Sequence, residues 1–381
     1  MENDDAIASE APPIRRIDHI VVLMMENHSF DHVLGFLDHP HPAVGGLVPN
    51  SYWNVDRNGE RVGVTKDGTP FGLDPDHSYE GARVQLETFG GTANGGFIKS
   101  YDAQGVSEDV ARRVMQCLDP EVHCQVLGKL AKEFAVCPWW HCSVRGATWP
   151  NRNFAHAGTS DAESNIVLGF YHDRTIFELL QDAGATWHIY YDGTPQVWCF
   201  PRLWRPRVIL DFLLHRDPKI GNWYQFRRFR EHVRHDELAS YSFIEPAHNR
   251  FHSKGTPRQT NSQHPHNNLE NGADFAAGER LIRDVYEILR SEPEVFERTL
   301  LLITYDEHGG LWDHVEPPES VAPGDDVSTH WSRRVGRFVG RAARRLQGKP
   351  VAKDPDDYSG AVRAAARVRQ GRRGHGGAGR G

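Results

Sequence analysis

Long hydrophobic runs are what this sequence most clearly lacks. No segment approaches the roughly 18 to 20 consecutive apolar residues that a membrane-spanning helix needs. A content of 39% hydrophobic and 25% charged residues is instead typical of globular proteins. The start of the chain, MENDDAIASEAPP, also lacks the basic beginning and apolar centre of a secretory signal. We therefore expect no transmembrane segment, at most peripheral contact with a membrane, and a cytoplasmic location.

Cysteine is also scarce. The chain has five: Cys117, Cys124, Cys137, Cys142 and Cys199. Their spacing does not match the paired C-x-x-C pattern of a structural zinc site. We expect buried free thiols in a reducing compartment, with a disulfide between two of them as the alternative.

The net charge of −7 conceals an uneven distribution. Residues 331–381 contain 14 basic and 3 acidic residues, a net charge of +11, which leaves 30 basic and 48 acidic residues, or −18, for residues 1–330. An acidic body argues against nucleic acid as a partner. We expect residues 1–13 to be disordered, residues 14–330 to form one catalytic domain, and residues 331–381 to form a basic tail, partly helical and then disordered.

Apolar runs of strand length alternate with helical patterns along the body. The runs at 20–25 and 299–305 are continuous, as in strands buried on both faces of a parallel sheet. Further strands are predicted at 185–192 and 240–246, helices at 278–289 and just before residue 185, and long functional loops at 38–72, 90–107 and 247–271. This order predicts an α/β fold with a mainly parallel central sheet flanked by helices.

Two acidic pairs follow the two strongest strand candidates. Glu26 and Asn27 come after the first, and Asp306 and Glu307 come after the second. Adjacent parallel strands would bring both pairs to one edge, where three carboxylates and an amide oxygen suit a divalent cation. Calcium, magnesium, manganese and zinc all remain open. The alternative is that each pair only caps the helix or loop that follows it.

The segment SVRGATWPNRNFAHAGTS contains a candidate nucleophile. The hydroxyl of Thr148 would become reactive if a bound cation lowered its pKa. Asn151 and Arg152 follow closely and are candidates for holding phosphate oxygens. Alternatively, these two side chains cap and pair structurally.

Several of the 22 histidines stand in loops of functional character. We interpret His77 and His264 as catalytic residues that carry protons near neutral pH. His308 is either a phosphate contact or a residue that orients the metal ligands. Two further candidates for contact with substrate or phosphate are His266 and His314, whereas a structural role is expected for His28, His32 and His156.

Three motifs, ENHSFDHVLG, GATWPNR and TYDEHGGLWDHVEPP, occur in that order together with DPDHSYEG and YSFIEP. From about Ile17 to Pro318 the chain resembles the phosphoesterase family of non-haemolytic, phosphocholine-preferring phospholipases C, plant non-specific phospholipases C and related acid phosphatases. The resemblance implies an alkaline-phosphatase-like core and hydrolysis through a covalent phospho-enzyme. Its residues match as follows: metal ligands Glu26, Asn27, Asp306 and Glu307, nucleophile Thr148, and histidines His77 and His264, with His266 as a competitor for the last position.

The resemblance implies a metal-dependent phosphoric ester hydrolase of the phospholipase C type, acting on phospholipids or small phosphoesters through a phospho-threonine intermediate. One alternative is an acid phosphatase that acts on phosphomonoesters. Another is a noncatalytic, truncated relative that binds phosphate or lipid, because the sequence after Asp357 turns into Ala, Arg and Gly repeats. Members of this family are often exported, so a secreted or periplasmic location is the alternative to a cytoplasmic one. The oligomeric state is not predicted.

Overall fold

The structure, a computed structural model, describes residues 17–41, 44–70, 72–160, 170–204, 221–248, 260–265, 273–321 and 323. The predictions for residues 1–13, for residues 331–381 and for His266 lie outside the described residues. The proposed domain limits therefore stay predictions. Among the described helices, none is long and apolar enough to cross a membrane.

A five-stranded parallel sheet forms the centre of the described structure. In chain order the strands are β1 His19–Met25, β2 Trp53–Val55, β3 Arg61–Gly63, β4 Trp187–Tyr191, β5 Trp223–Gln225, β6 Tyr241–Glu245 and β7 Thr299–Tyr305. The parallel sheet has the order β5-β4-β6-β1-β7, and β2 and β3 form a separate antiparallel pair. The predicted α/β class with a mainly parallel sheet is confirmed.

Helices cover both faces of this sheet. They are α1 Phe30–Leu34, α2 Tyr79–Gln85, α3 Phe97–Asp102, α4 Glu108–Arg112, α5 Pro120–His123, α6 Gln125–Glu133, α7 Thr148–Ala157, α8 Ile176–Asp182, α9 Arg227–Arg234, α10 Ala273–Arg290 and α11 Pro293–Glu297. Short 3-10 helices occupy Arg113–Met115, Gln196–Cys199 and Pro201–Leu203. The loops predicted at 38–72 and 90–107 are thus interrupted, the first by the β2–β3 hairpin and the second by α3.

The apolar side chains of β1 are divided between two cores. Val21, Leu23 and Met25 pack with one cluster that includes side chains of α6 and α10, whereas Val22 and Met24 pack with a second cluster on the other face. Successive residues of a strand point to opposite faces, so a strand covered on both sides must be apolar at every position. Burying side chains of this size contributes about 1.5–3 kcal/mol each.

The register between β1 and β7 determines which residues lie side by side where the two strands end. His19 lies opposite Thr299, and the pairing continues without a break to Met25 opposite Tyr305. The residues that follow Met25 and Tyr305 therefore emerge at the same level of the same edge. This is the edge at which parallel α/β sheets place their ligands.

Candidate active site

The two acidic pairs meet at this edge, as predicted. The backbone N–H of Asn27 donates to Oδ1 of Asp306 at 3.1 Å, and the N–H of Glu307 donates to the same oxygen at 2.8 Å. Glu26, Asn27, Asp306 and Glu307 are all buried, none being more than 5% exposed. Asn27 has φ +59°, a left-handed conformation that asparagine tolerates better than most residues. The sheet register and these hydrogen bonds thus bring the two chain segments together at one edge of the sheet.

Thr148 faces the same site from the first position of α7. Its hydroxyl donates to Oδ1 of Asn27 at 3.2 Å, and its side chain is buried. The residue before it, Ala147, supplies no side-chain cap to the helix. The first turn of an uncapped helix presents backbone N–H groups and a positive dipole end, which favour an anion beside the hydroxyl.

Two of the predicted histidines converge on the side chain of Asn27. Its Nδ2 lies 3.3 Å from Nδ1 of His77 and 3.0 Å from Nε2 of His264. Burial opposes a charge on His77, but the carboxylate of Glu307, 2.7 Å away, outweighs it and raises the pKa of His77 to about 9. Burial lowers the pKa of His264. The two imidazoles therefore favour different protonation states within one site.

His308 holds the Glu307 carboxylate in place. The Nδ1 atom of His308 is 3.3 Å from Glu307, its Nε2 atom is 2.8 Å from Oε1 of Gln85, and the N–H of Gly309 donates to Glu307 at 2.6 Å. Burial favours the neutral form of Glu307, but the nearby His77 and His308 reverse this and lower its pKa to about 2. Of the two roles predicted for His308, this geometry favours orientation of a metal ligand.

Arg152 does not have the role in phosphate binding that the sequence suggested. Its side chain is fully buried, with Nε donating to Asp306 at 3.0 Å and Nη1 to Glu245 at 2.8 Å. Its Nη2 donates to the backbone oxygens of Met24 and Met25 at 3.0 and 3.1 Å. Every guanidinium nitrogen has a protein partner, so the structural alternative applies.

The same correction holds for Asn151. Its Oδ1 accepts from the N–H of Val144 at 2.8 Å, and its Nδ2 lies 3.0 Å from the oxygen of Gly146. These bonds close the turn that leads into α7. Asn151 therefore places Thr148 instead of contacting phosphate.

His314 belongs to a second cluster, formed with Asp31 and Asp313. Its Nδ1 lies 2.6 Å from Oδ2 of Asp31, and the N–H of Asp31 donates to Asp313 at 3.1 Å. These contacts connect the segment after β1 with the segment after β7. One ring nitrogen of His314 is thereby paired with a carboxylate, and the side chain is 34% exposed, so its role as a substrate contact stays a prediction.

The sequence reasoning missed Glu245 and His248. Glu245 ends β6, and His248 lies between two carboxylates, 2.9 Å from Glu26 and 2.8 Å from Glu245. Burial opposes its charge, but these carboxylates raise the pKa of His248 to about 9. The motif YSFIEPAH could have identified Glu245 as a candidate, because functional side chains commonly lie at the carboxyl ends of parallel strands and Glu245 ends β6.

Other structural predictions for single residues hold. His28 contacts the backbone oxygen of Gln263 at 2.9 Å and stacks on His32, both inside the protein. All five cysteines are free thiols, as expected, but only Cys117 and Cys124 are buried.

The donor atoms at the site fit a hard divalent cation in type. Three buried carboxylates, the amide oxygen of Asn27 and the hydroxyl of Thr148 form an oxygen-rich set, and burial raises the pKa of Asp306 to about 7. The carboxylates are not all directed at one point, as the prediction of a single cation site required. Glu26 contacts His248, and Glu307 contacts His77. Within the described residues, the set of three or more carboxylate, imidazole or thiol groups whose ligand atoms all lie within 4.8 Å of one another is that of Asp31, Asp313 and His314.

Sequence comparisons show the family of this chain. A sequence model of the phosphoesterase family matches residues 17–348. The chain belongs to this family. It is 34% identical over 322 residues to non-specific phospholipase C1 of Arabidopsis thaliana, a match that covers 81% of this chain and 56% of that protein. The resemblance inferred from the motifs is confirmed.

Two further relatives show the same partial coverage. Non-specific phospholipase C3 of Arabidopsis thaliana is 32% identical, over 85% of this chain and 60% of that protein. Phospholipase C A of Mycobacterium tuberculosis is 27% identical, over 82% of this chain and 62% of that protein. The chain therefore spans about three fifths of the length of these curated relatives.

Proposed function

We propose that this family member is a divalent-cation-dependent phosphoester hydrolase of the phospholipase C type, with Thr148 as its nucleophile. The observation that carries the proposal is the buried Thr148 hydroxyl, 3.2 Å from Oδ1 of Asn27 at the start of an uncapped helix. The names of the relatives support phospholipids as the substrate class.

The candidate cation ligands are Glu26, Asn27, Asp306 and Glu307. A bound cation would lower the pKa of the Thr148 hydroxyl and neutralise charge on the phosphate. Thr148 Oγ1 forms a bond to phosphorus while the bond from phosphorus to the glycerol oxygen breaks. The diacylglycerol leaves and the phosphorylated head group remains on Thr148 as a phospho-threonine diester.

Proton transfer falls to the two histidines beside Asn27. As Thr148 attacks, its hydroxyl proton passes to solvent, and His77 or His264 gives a proton to the departing glycerol oxygen, as a general acid does in phosphoryl transfer. Water then attacks phosphorus and gives a proton back to that histidine, the bond to Thr148 breaks, and the threonine oxygen takes up a proton from solvent as the phosphorylated head group is released. The backbone N–H groups of Thr148 and Trp149, in the first turn of α7, would stabilise the charge that develops on the non-bridging oxygens.

Replacement of Thr148 tests the nucleophile. Thr148→Ala should reduce turnover of phosphatidylcholine to well below about a tenth of the original rate, because no other group supplies the attacking oxygen. Thr148→Ser, which keeps a hydroxyl, should retain measurable turnover. A divalent cation should raise the melting temperature of the original protein and of both variants. Substantial activity in Thr148→Ala would contradict the assignment.

A substrate comparison separates phospholipase from phosphatase activity. Phosphatidylcholine and p-nitrophenyl phosphate should be assayed side by side with the same preparation and cation. A preference for phosphatidylcholine supports the proposal. A wide preference for p-nitrophenyl phosphate would assign the chain to the phosphatases of the family.

A further inference from the structure

Three large aromatic side chains stand exposed in the segment that leads from α6 towards the site. Phe134, Trp139 and Trp140, here called the aromatic ridge, are 50%, 67% and 60% exposed. Side chains of this size usually avoid water, and a contiguous apolar patch commonly marks a binding surface. The sequence between them, AVCP, adds no charged residue.

The aromatic ridge and the active site open onto the same cavity. This cavity has a volume of about 570 Å³, and its wall includes Phe134 and Trp140 of the aromatic ridge together with Gly146, Glu307 and His308. Gly146 precedes the candidate nucleophile by two residues. Residues beside the candidate nucleophile and residues of the aromatic ridge therefore line one cavity.

The remainder of the cavity wall is mainly apolar. It includes the strand β7, where Leu300 is 50% exposed, and the side chains of Leu130, Tyr286 and Phe296. Pockets for small molecules commonly have volumes of about 300–1,000 Å³ and combine apolar walls with a few polar groups that orient the ligand. This cavity has that composition, and Glu307 and His308 of the candidate active site are among its polar groups.

An amphiphilic lipid matches this arrangement better than a protein partner does. Its phosphate would lie among the polar groups of the site and its hydrocarbon along the apolar wall. Tryptophan suits the boundary of a bilayer, because its ring is apolar while its indole N–H can bond to polar groups. The charge of −18 on residues 1–330 disfavours attraction of the body to an anionic surface, so apolar contact must supply the binding energy.

We propose that the aromatic ridge enters the interface of a zwitterionic phospholipid bilayer and that the cavity receives an acyl chain of the lipid being hydrolysed. This inference rests on the proposed function for the identity of the lipid at Thr148. It assigns to Phe134, Trp139 and Trp140 a role in lipid contact, separate from the chemistry.

Vesicle binding tests the aromatic ridge without any turnover. The double variant Trp139→Ser/Trp140→Ser should be compared with Leu179→Ser, which replaces a side chain that is 50% exposed on α8. Both should be made in full-length Thr148→Ala protein and floated with phosphatidylcholine vesicles, whose lack of net charge minimises any contribution from the basic tail. Binding should fall about tenfold in the double variant and stay unchanged in Leu179→Ser, at both low and high salt.

Kinetics on two substrates test whether the aromatic ridge contributes to hydrolysis of lipid in a bilayer. In protein that retains Thr148, the double variant should lose about tenfold in rate on phosphatidylcholine vesicles. Hydrolysis of the monomeric substrate p-nitrophenylphosphorylcholine should stay within about twofold, because that substrate needs no interface. A second variant, Phe134→Ser, should likewise lose rate on vesicles and keep its rate on the monomeric substrate.

Two results would overturn the inference. One is unchanged vesicle binding in both the double variant and Phe134→Ser, with melting temperatures equal to that of the parent protein. The other is a dimer that dissociates in the double variant while vesicle binding persists, which would make the aromatic ridge a contact between two copies. A parent protein that binds vesicles through the ridge yet hydrolyses neither substrate would refute the proposed function and leave the lipid-contact role supported.

Discussion

At the scale of single residues, Gly309 shows how tightly the two acidic pairs are packed. Its φ is +68°, and a Cβ atom placed on it would lie 2.1 Å from the backbone oxygen of Asn27. Its N–H also donates to the carboxylate of Glu307. Glycine is therefore required here for two reasons, a left-handed backbone and the absence of a side chain.

A pair of glycine substitutions separates these reasons. Gly158, which ends α7, also has φ +68°, but a Cβ atom placed on it would have nothing within 4 Å. Gly158→Ala should cost about 1–2 kcal/mol of unfolding free energy, the cost of the left-handed conformation. Gly309→Ala should cost at least about 3 kcal/mol, because its Cβ also collides with rigid backbone. Urea denaturation measures both, and equal losses would show that the contact with Asn27 carries no energy.

The residues of the site were predictable to different degrees. Glu26 and Asp306 could be found because each directly follows an apolar strand, and the strand pairing then brings them together. The partners of Arg152 could not be found, because Glu245 and Asp306 lie 93 and 154 residues further along the chain. A guanidinium next to a candidate nucleophile has the same sequence pattern whether it binds phosphate or protein carboxylates.

At the scale of elements, Glu279 connects two helices through a buried carboxylate. It lies on α10, and its Oε2 accepts from the N–H groups of Val126 and Leu127 at 2.7 and 3.3 Å. Those N–H groups belong to the first turn of α6, where a helix has no internal acceptors. Burial raises the pKa of Glu279 to about 7, with the two N–H groups opposing that shift.

This shift predicts a pH-dependent stability. Between pH 4.5, the ordinary pKa, and about pH 7, the folded protein holds a proton on Glu279 that the unfolded chain has released. The unfolding free energy therefore falls as the pH rises through this window, by at most about 3 kcal/mol. Glu279→Gln cannot ionise but keeps an acceptor oxygen, so it should be up to about 3 kcal/mol more stable than the parent at pH 8 and similar to it at pH 5.

Denaturant titrations at several pH values measure this difference. Glu287→Gln is the matched control, because Glu287 lies on the same helix with its side chain 64% exposed. The control should show no such pH dependence relative to the parent. A constant difference between Glu279→Gln and the parent across pH 5–8 would mean that Glu279 titrates normally.

The predictability of elements follows from their length and pattern. The strands β1 and β7 have seven residues each and α10 has eighteen, long enough for their apolar patterns to be recognised. The strands β2, β3 and β5 have three residues each and were not predicted. At that length the hydrogen bonds to neighbouring strands determine the structure, and the sequence carries little periodicity.

At the scale of the whole molecule, Arg152 joins elements that are far apart in the chain. From α7 it reaches the end of β1 through Met24 and Met25, the end of β6 through Glu245 and the end of β7 through Asp306. The side chains of Arg152 and of both carboxylate partners are fully buried. The desolvation of such charges is offset only while each keeps an opposite charge and hydrogen bonds.

Removal of this guanidinium should therefore weaken the whole fold. Arg152→Met keeps much of the side-chain length but leaves the buried carboxylate of Asp306 without its cation and leaves Glu245 with only its contact to His248, and it should cost about 3–5 kcal/mol of unfolding free energy. Arg83→Met is the control, because Arg83 forms an exposed pair with Glu87 and its loss should cost less than about 1 kcal/mol. Equilibrium unfolding in urea compares the two. If Arg152→Met were no less stable than Arg83→Met, the contacts of Arg152 with the ends of the three strands would carry no net stabilisation, and its role in joining them would be wrong.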